Sequence, residues 1–173
     1  SASFALSIGG QNCTLTFTVN PSGSIVSNPG AGVSYGGYTY PSIVLGNGQE
    51  WMSENLRTTT YANGDPIPNV TVDSQWAALT TGAWCYYNND PQYENPYGKL
   101  YNWYAINDSR HVCPTGWHEP RDFEFNILVK TIDSQSETLA FGSQSSIAGG
   151  ILKSTNYWTS PNVSASNSVG FSG

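Results

Sequence analysis

Hydrophobic and polar positions follow two different periods along this chain. Between Tyr97 and Ile132 the period is helical. Leu100, Trp103, Tyr104 and Ile106 recur on one face, and Phe123, Ile127 and Leu128 do so further on, with Glu124, Leu128 and Ile132 on the adjoining row. The spacing predicts two amphipathic helices joined by a tight turn that carries Cys113. Pro114 and Gly116 break the backbone in that turn, and Pro120 stands just before the second helix. Asp122 and Glu124 fall in the first turn of that helix and Lys130 in its last, an order that suits the helix dipole. Leu100, Trp103, Cys113, Trp117, Phe123, Glu124 and Leu128 are therefore expected to be structural.

Elsewhere the period is two. SFALSIGGQNCTLTFTV alternates on both sides of Gly9-Gly10 and reads as a β-hairpin. A strand is expected at Tyr38 to Val44, then a turn at Gly46-Asn47-Gly48 and a strand through Trp51. Arg57 to Tyr61 reads as a strand or extended edge, Gly82 to Tyr87 as a strand, and Gly149 to Lys153 and Tyr157 to Thr159 as short strands. Ser74 to Leu79 fits one helical turn capped by Ser74. Asn20 to Gly32 is rich in Pro, Gly and Ser and reads as a linker, while Ala62 to Val72, Asn88 to Pro96 and the stretch from Ile132 to Ser146 read as loops. The expected class is α+β: two helices around a small irregular antiparallel sheet, preceded by a hairpin. The expected division is a hairpin over 1–20, a linker over 21–32 and the main domain over 33–173.

Composition narrows the function. Only 10% of the 173 residues are charged, against about 25% in an average domain. Ser, Thr, Asn and Gly carry the polarity, and 13% of residues are aromatic. That balance fits an extracellular β-rich protein and is too aromatic for a disordered one. The net charge is −6, with six Lys and Arg in all. So few cations make nucleic acid and anionic membrane surfaces poor partners. No apolar run reaches the roughly 18 residues of a membrane span. Ser1 to Ile8 lacks the basic start of a signal peptide, so the chain is expected to be an internal or mature fragment.

Candidate chemistry concentrates in one loop. Trp84, Tyr86, Tyr87, Asn88, Asn89, Asp90, Tyr93, Glu94 and Tyr97 place aromatic rings beside amides and carboxylates. Rings that stack on the apolar face of a sugar, with amides reaching its hydroxyls, are the means of glycan recognition. Trp84 and Tyr86 fit better as the buried face of a strand. Tyr87, Asn88, Asn89, Asp90, Tyr93, Glu94 and Tyr97 are the candidate ligand-binding residues. Asn88, Asn89, Asp90 and Glu94 could also hold a calcium ion, which takes six to eight oxygens, but a capped turn is the better reading of them. His111, Cys113 and His118 are too few for a zinc site, and no third group orients a Cys113–His nucleophile. No catalytic residue and no metal site is assigned. A Cys85–Cys113 bridge would stabilise by about 3–4 kcal/mol; the other reading is that Cys13, Cys85 and Cys113 are buried thiols. The Asn-x-Ser/Thr triplets at Asn12, Asn69, Asn107 and Asn162 read as chance in an Asn- and Ser-rich chain.

Several unusual motifs occur together and in order: WMSENLRTTTYANGDPIPNV, WAALTTGAWCYYNND, YGKLYNWYA, CPTGWHEPRDFEF and SIAGGILKSTNYWTSPNVSASNSVGFSG. Over roughly residues 33 to 173 they resemble the Fibrobacter succinogenes major paralogous domain family, found on secreted and surface proteins of Bacteroidota-like bacteria. The resemblance implies a C-type-lectin-like fold, shared with formylglycine-generating enzymes, and an N-terminal hairpin left over from a preceding Ig-like β-sandwich repeat. It also implies that Cys113 pairs with a cysteine in a Trp-rich strand beyond Gly173, so that the chain is expected to be truncated. The family normally has a Ser or Thr cap where Arg121 stands. The enzyme relatives work through a cysteine pair near their C-terminus that this chain lacks, so enzymatic activity is not expected. The expected role is a non-catalytic, adhesin-type binder of glycan or protein at the cell surface. The alternative is a cargo or docking domain held by an outer-membrane type IX secretion or gliding-motility complex.

Overall fold

The structure, a computed structural model, describes residues 2–8, 11–17, 27–139 and 142–171. The alternation at the start builds β1 (Ala2–Ile8) and β2 (Gln11–Phe17), an antiparallel pair with Ile8 opposite Gln11. The next strands are β3 (Ser27–Pro29), β4 (Val33–Tyr35), β5 (Tyr38–Tyr40), β6 (Ser42–Leu45) and β7 (Glu50–Met52). β4 and β5 form a small hairpin, and β3, β6 and β7 form a three-stranded antiparallel sheet in the order β3-β6-β7. Ser27–Pro29 thus belong to the sheet, although composition placed them in the linker. A proline is tolerated there because β3 is an edge strand.

The β6–β7 connection turns at Asn47-Gly48. Gly48 adopts φ +84, a region open to glycine, and its N–H donates to the Leu45 carbonyl at 2.9 Å. The Asn47 amide then reaches the Thr131 hydroxyl at 2.7 Å, which ties this turn to the long helix described below.

From here the chain carries little regular structure. α1 (Asp73–Ala77) is one short helix whose cap position is Val72, with no side-chain cap, so Ser74 lies inside it and does not cap it. β8 (Trp84–Cys85) is followed by two single 3-10 turns, Tyr87–Asn89 and Pro91–Tyr93, and by α2 (Glu94–Tyr97). β9 (Leu100–Tyr101) pairs antiparallel with β8, and α3 is only Trp103–Ile106.

The first expected helix is therefore corrected. Gly98 at φ +66 breaks the chain after Tyr97, and the Asn102 side chain caps the single turn that follows by accepting from Ala105 N–H at 3.0 Å. Leu100 lies on a strand and is 45% exposed, and Trp103 is 68% exposed. Ala105 and, in part, Ile106 face the core instead.

The second helix is α4 (Asp122–Ile132), with Asp122 and Glu124 in its first turn and Lys130 in its last. Its buried row is Leu128 and Ile132, whereas Phe123 is 55% exposed; Phe123 is not the core residue its spacing promised. β10 (Glu137–Leu139) and β11 (Gly142–Gln144) pair in a stretch expected to be loop. α5 (Ala148–Leu152) replaces the strand expected at Gly149 to Lys153, and Tyr157 to Thr159 form no strand.

Two clusters make the core among the described residues. Ile43 and Leu45 of β6 meet Leu128 and Ile132 of α4, Ala148 of α5 and Val169. Tyr61, Ile67, Trp84, Ala105 and Val112 form the other. Each large side chain buried this way contributes roughly 1.5–3 kcal/mol. The second cluster is the floor on which the aromatic loop rests. With its small antiparallel sheets and few helices the molecule is α+β. No helix among the described residues is long and apolar enough to cross a membrane.

Candidate functional site

The segment from Tyr86 to Gly98 folds into a stack of tight turns that gathers its tyrosines. The Tyr87 ring lies edge-on to Tyr93 at 5.4 Å and to Tyr97 at 5.3 Å, and Tyr93 and Tyr97 are 5.8 Å apart. A fourth ring joins from the C-terminal segment: Tyr157 lies 6.0 Å from Tyr97, and the Tyr97 hydroxyl donates to its carbonyl. Edge-to-face pairs of this kind are each worth about 0.5–1.5 kcal/mol, so the rings hold one another in place. Tyr87 and Tyr157 remain exposed.

The polar candidates divide into three groups. Asn88 and Asn89 take φ +52 and +54, a region asparagine tolerates better than most residues. The Asn89 amide donates to the Thr71 carbonyl at 2.9 Å. Asp90 caps the Pro91–Tyr93 turn: one carboxylate oxygen accepts from Gln92 N–H at 3.0 Å and the other from the Gln92 side chain. Glu94 is paired with Lys99. Both carboxylates of the calcium reading thus have other partners, and among the described residues no group of three or more His, Cys, Asp or Glu is placed to hold a metal.

Two cations that the sequence reading passed over build the base of the loop. Lys99 is only 8% exposed. Besides Glu94, its ammonium donates to the Arg57 carbonyl at 2.8 Å and lies over the rings of Trp84 and Tyr86. Arg57 donates to Glu54 and to the Asn95 carbonyl, each at 2.9 Å, and stacks on Tyr38. Trp84 and Tyr86, edge to face at 5.1 Å, are the packed floor. Nothing in the local pattern marks Lys99 or Arg57. Tyr157 did carry a signal: an aromatic pair, Tyr157-Trp158, set between Asn and Thr in a polar tail.

A second concavity, of about 370 Å³, lies between β7 and the start of α4, with Trp51, Leu56, Trp117, Phe125 and Phe171 among its walls. Cys113, His118 and Glu124 also line it. Burial, and then the neighbouring Glu119, pushes the Cys113 thiol up to about 12, so it stays protonated at neutral pH. Cys85 and Cys113 are both free thiols, not the bridge considered above. His118 bonds Glu124 at 2.7 Å, and the other Glu124 oxygen accepts from Arg121 N–H at 2.8 Å. That is the carboxylate half of a capping box, formed although Arg121 supplies no side-chain cap of its own.

No curated protein matches this chain, and no solved structure does. A family match does exist: the Fibrobacter succinogenes major domain aligns with residues 44–173, a span that contains the tyrosine loop, the Cys113 turn and α4. The chain belongs to the Fibrobacter succinogenes major domain family.

Proposed function

We propose that the chain is a non-catalytic recognition module of a secreted or surface-displayed bacterial protein. In this reading residues 33–173 form a C-type-lectin-like domain and the N-terminal hairpin is the end of a β-sandwich repeat. The module binds a glycan or a protein outside the cell, through loops fixed on a packed floor. One observation carries the reading: Tyr87, Tyr93, Tyr97 and Tyr157 come from separate turns yet form one ring cluster at the surface. Aromatics gathered at the surface in this way, over a loop braced by the buried Lys99 and the half-buried Arg57, are what a binding surface requires. The high Cys113 pKa is unfavourable to a thiol nucleophile and supports the non-catalytic part.

The test is retention of the fluorescently labelled chain on intact bacterial cells and on extracted extracellular matrix. Retention that is lost in Tyr93→Ala supports the module as a surface binder. Failure to be retained on either would sink it.

A second reading has its own observation. Phe123 and Ile127 leave an apolar strip on the outer face of α4, which fits a cargo or docking domain held by an outer-membrane type IX secretion or gliding-motility complex. Retention on cell envelopes that survives Tyr93→Ala but is abolished by Ile127→Ser would favour it.

A further inference from the structure

We infer that the four-tyrosine cluster is a stacking platform for a neutral, polyhydroxylated ligand: the apolar face of a sugar ring within an uncharged glycan. The inference rests on the module being a surface binder and narrows what it binds.

Three features of the cluster point to that chemistry. The first is the ring that completes it. Tyr157 is 67% exposed and its backbone is held at φ +65, a conformation uncommon for any residue with a Cβ and a clear outlier for a bulky one. Strain of this kind persists where the surrounding structure enforces it, and it gathers at functional positions. Here it keeps an aromatic face in water beside Tyr97.

The second feature is the rim. Asn88 follows Tyr87, Asn95 lies between Tyr93 and Tyr97, and Asn156 precedes Tyr157. All three are exposed, and their side chains make no hydrogen bond among the described residues. Each carboxamide offers a donor and an acceptor, the pairing a hydroxyl uses.

The third is charge. Glu94 is neutralised by Lys99. Both Asp90 oxygens accept from Gln92. Lys153 lies over the Trp158 ring and donates to the Val163 carbonyl. Among the described residues beside the cluster, each cation is already engaged by a carboxylate, a carbonyl or a ring face, and none is held open for a phosphate, sulfate or uronate. A sugar ring, apolar on its face and hydroxylated at its edge, matches rings within an amide rim. A proline-rich peptide would use the rings but, with carbonyl acceptors and few N–H donors, would leave the amide oxygens unpaired.

The experiment titrates the intact chain calorimetrically with neutral hexaoses of cellulose, xylan, mannan and laminarin. A polygalacturonate hexaose and a proline-rich decapeptide serve as the other arms. At least one neutral hexaose is expected to bind. Tyr157→Ala is expected to weaken it about tenfold, the loss of one central aromatic contact. Tyr157→Phe keeps the ring and is expected to bind normally, as is Trp103→Ala, which removes an exposed ring from outside the cluster. Neutral-hexaose binding unchanged in Tyr157→Ala overturns the platform, and so does tighter binding of the acidic oligomer or the peptide. Retention on cells with no neutral hexaose bound overturns the glycan class alone, whereas absence of retention on cells and matrix overturns the surface-binder reading beneath it.

Discussion

Lys99 and Glu94 form an ion pair in which the two partners differ in access to water. The lysine side chain is 4% exposed and the glutamate 33%. Removing Glu94 strands a buried ammonium with one carbonyl and two ring faces, while removing Lys99 leaves a carboxylate that can turn to solvent. Loss of a partner from a buried charge is the costly case. Glu94→Ala is therefore expected to cost about 3 kcal/mol and Lys99→Met about 1 kcal/mol. Urea unfolding midpoints measure both, and the reverse ranking would show that Lys99 does not depend on Glu94.

Gly98 stands where the chain leaves the tyrosine loop. Its φ is +66, and a Cβ there would approach the Leu56 carbonyl oxygen to 2.7 Å, a backbone atom that cannot swing away. Gly98→Ala combines a left-handed backbone with that clash. It is expected to destabilise by about 2 kcal/mol or more and to shift the amide NMR signals of Tyr97 and Lys99. A change of only a few tenths of a kcal/mol would mean that the loop exit relaxes freely.

Local signals explain what the sequence made readable. α4 is announced by acids at its start, a lysine at its end and a helical row over Asp122–Ile132, and the β6–β7 turn by Asn47-Gly48. The stretch from Leu100 to Ile106 misled because its apolar residues fall at helical spacing by chance. Gly98 and the Asn102 cap divide it into a strand and one turn, and the pairing of Leu100 with Cys85 is decided at long range. On α4 the period was right but the buried row was not, because Ile43 and Leu45 choose which side is covered. The loop's rings were legible from composition. Their grouping, the entry of Tyr157 and the support from Lys99 and Arg57 come from tertiary contacts that no local pattern encodes.

Cys113 is held as a thiol. Burial and Glu119 raise it to about 12, against about 8.5 for a free cysteine. Its thiolate is about three orders of magnitude scarcer than that of an open cysteine at neutral pH. Iodoacetamide treatment of the native chain, followed by peptide mass analysis, is expected to leave Cys113 unmodified. The same treatment in denaturant is expected to label it fully. Rapid labelling of the native protein would contradict a buried, protonated thiol.

Glu124 makes α4 sensitive to acid. The Arg121 N–H, and then His118, hold its carboxyl below the usual range. A carboxyl with a folded pKa below its unfolded value adds stability that is fully present above the unfolded pKa, about 4.3 for glutamate. That stability is lost as the pH falls through the lower folded value. The difference in unfolding free energy between the native sequence and Glu124→Ala is thus expected to be fully present at about pH 5 and to close in stronger acid. In a His118→Gln background the same closing should persist with smaller amplitude, because the backbone N–H is the larger cause. A difference that widens as the pH falls below about 5 would contradict the depressed carboxyl, and one that vanishes without His118 would assign the effect to the imidazole instead of the helix start.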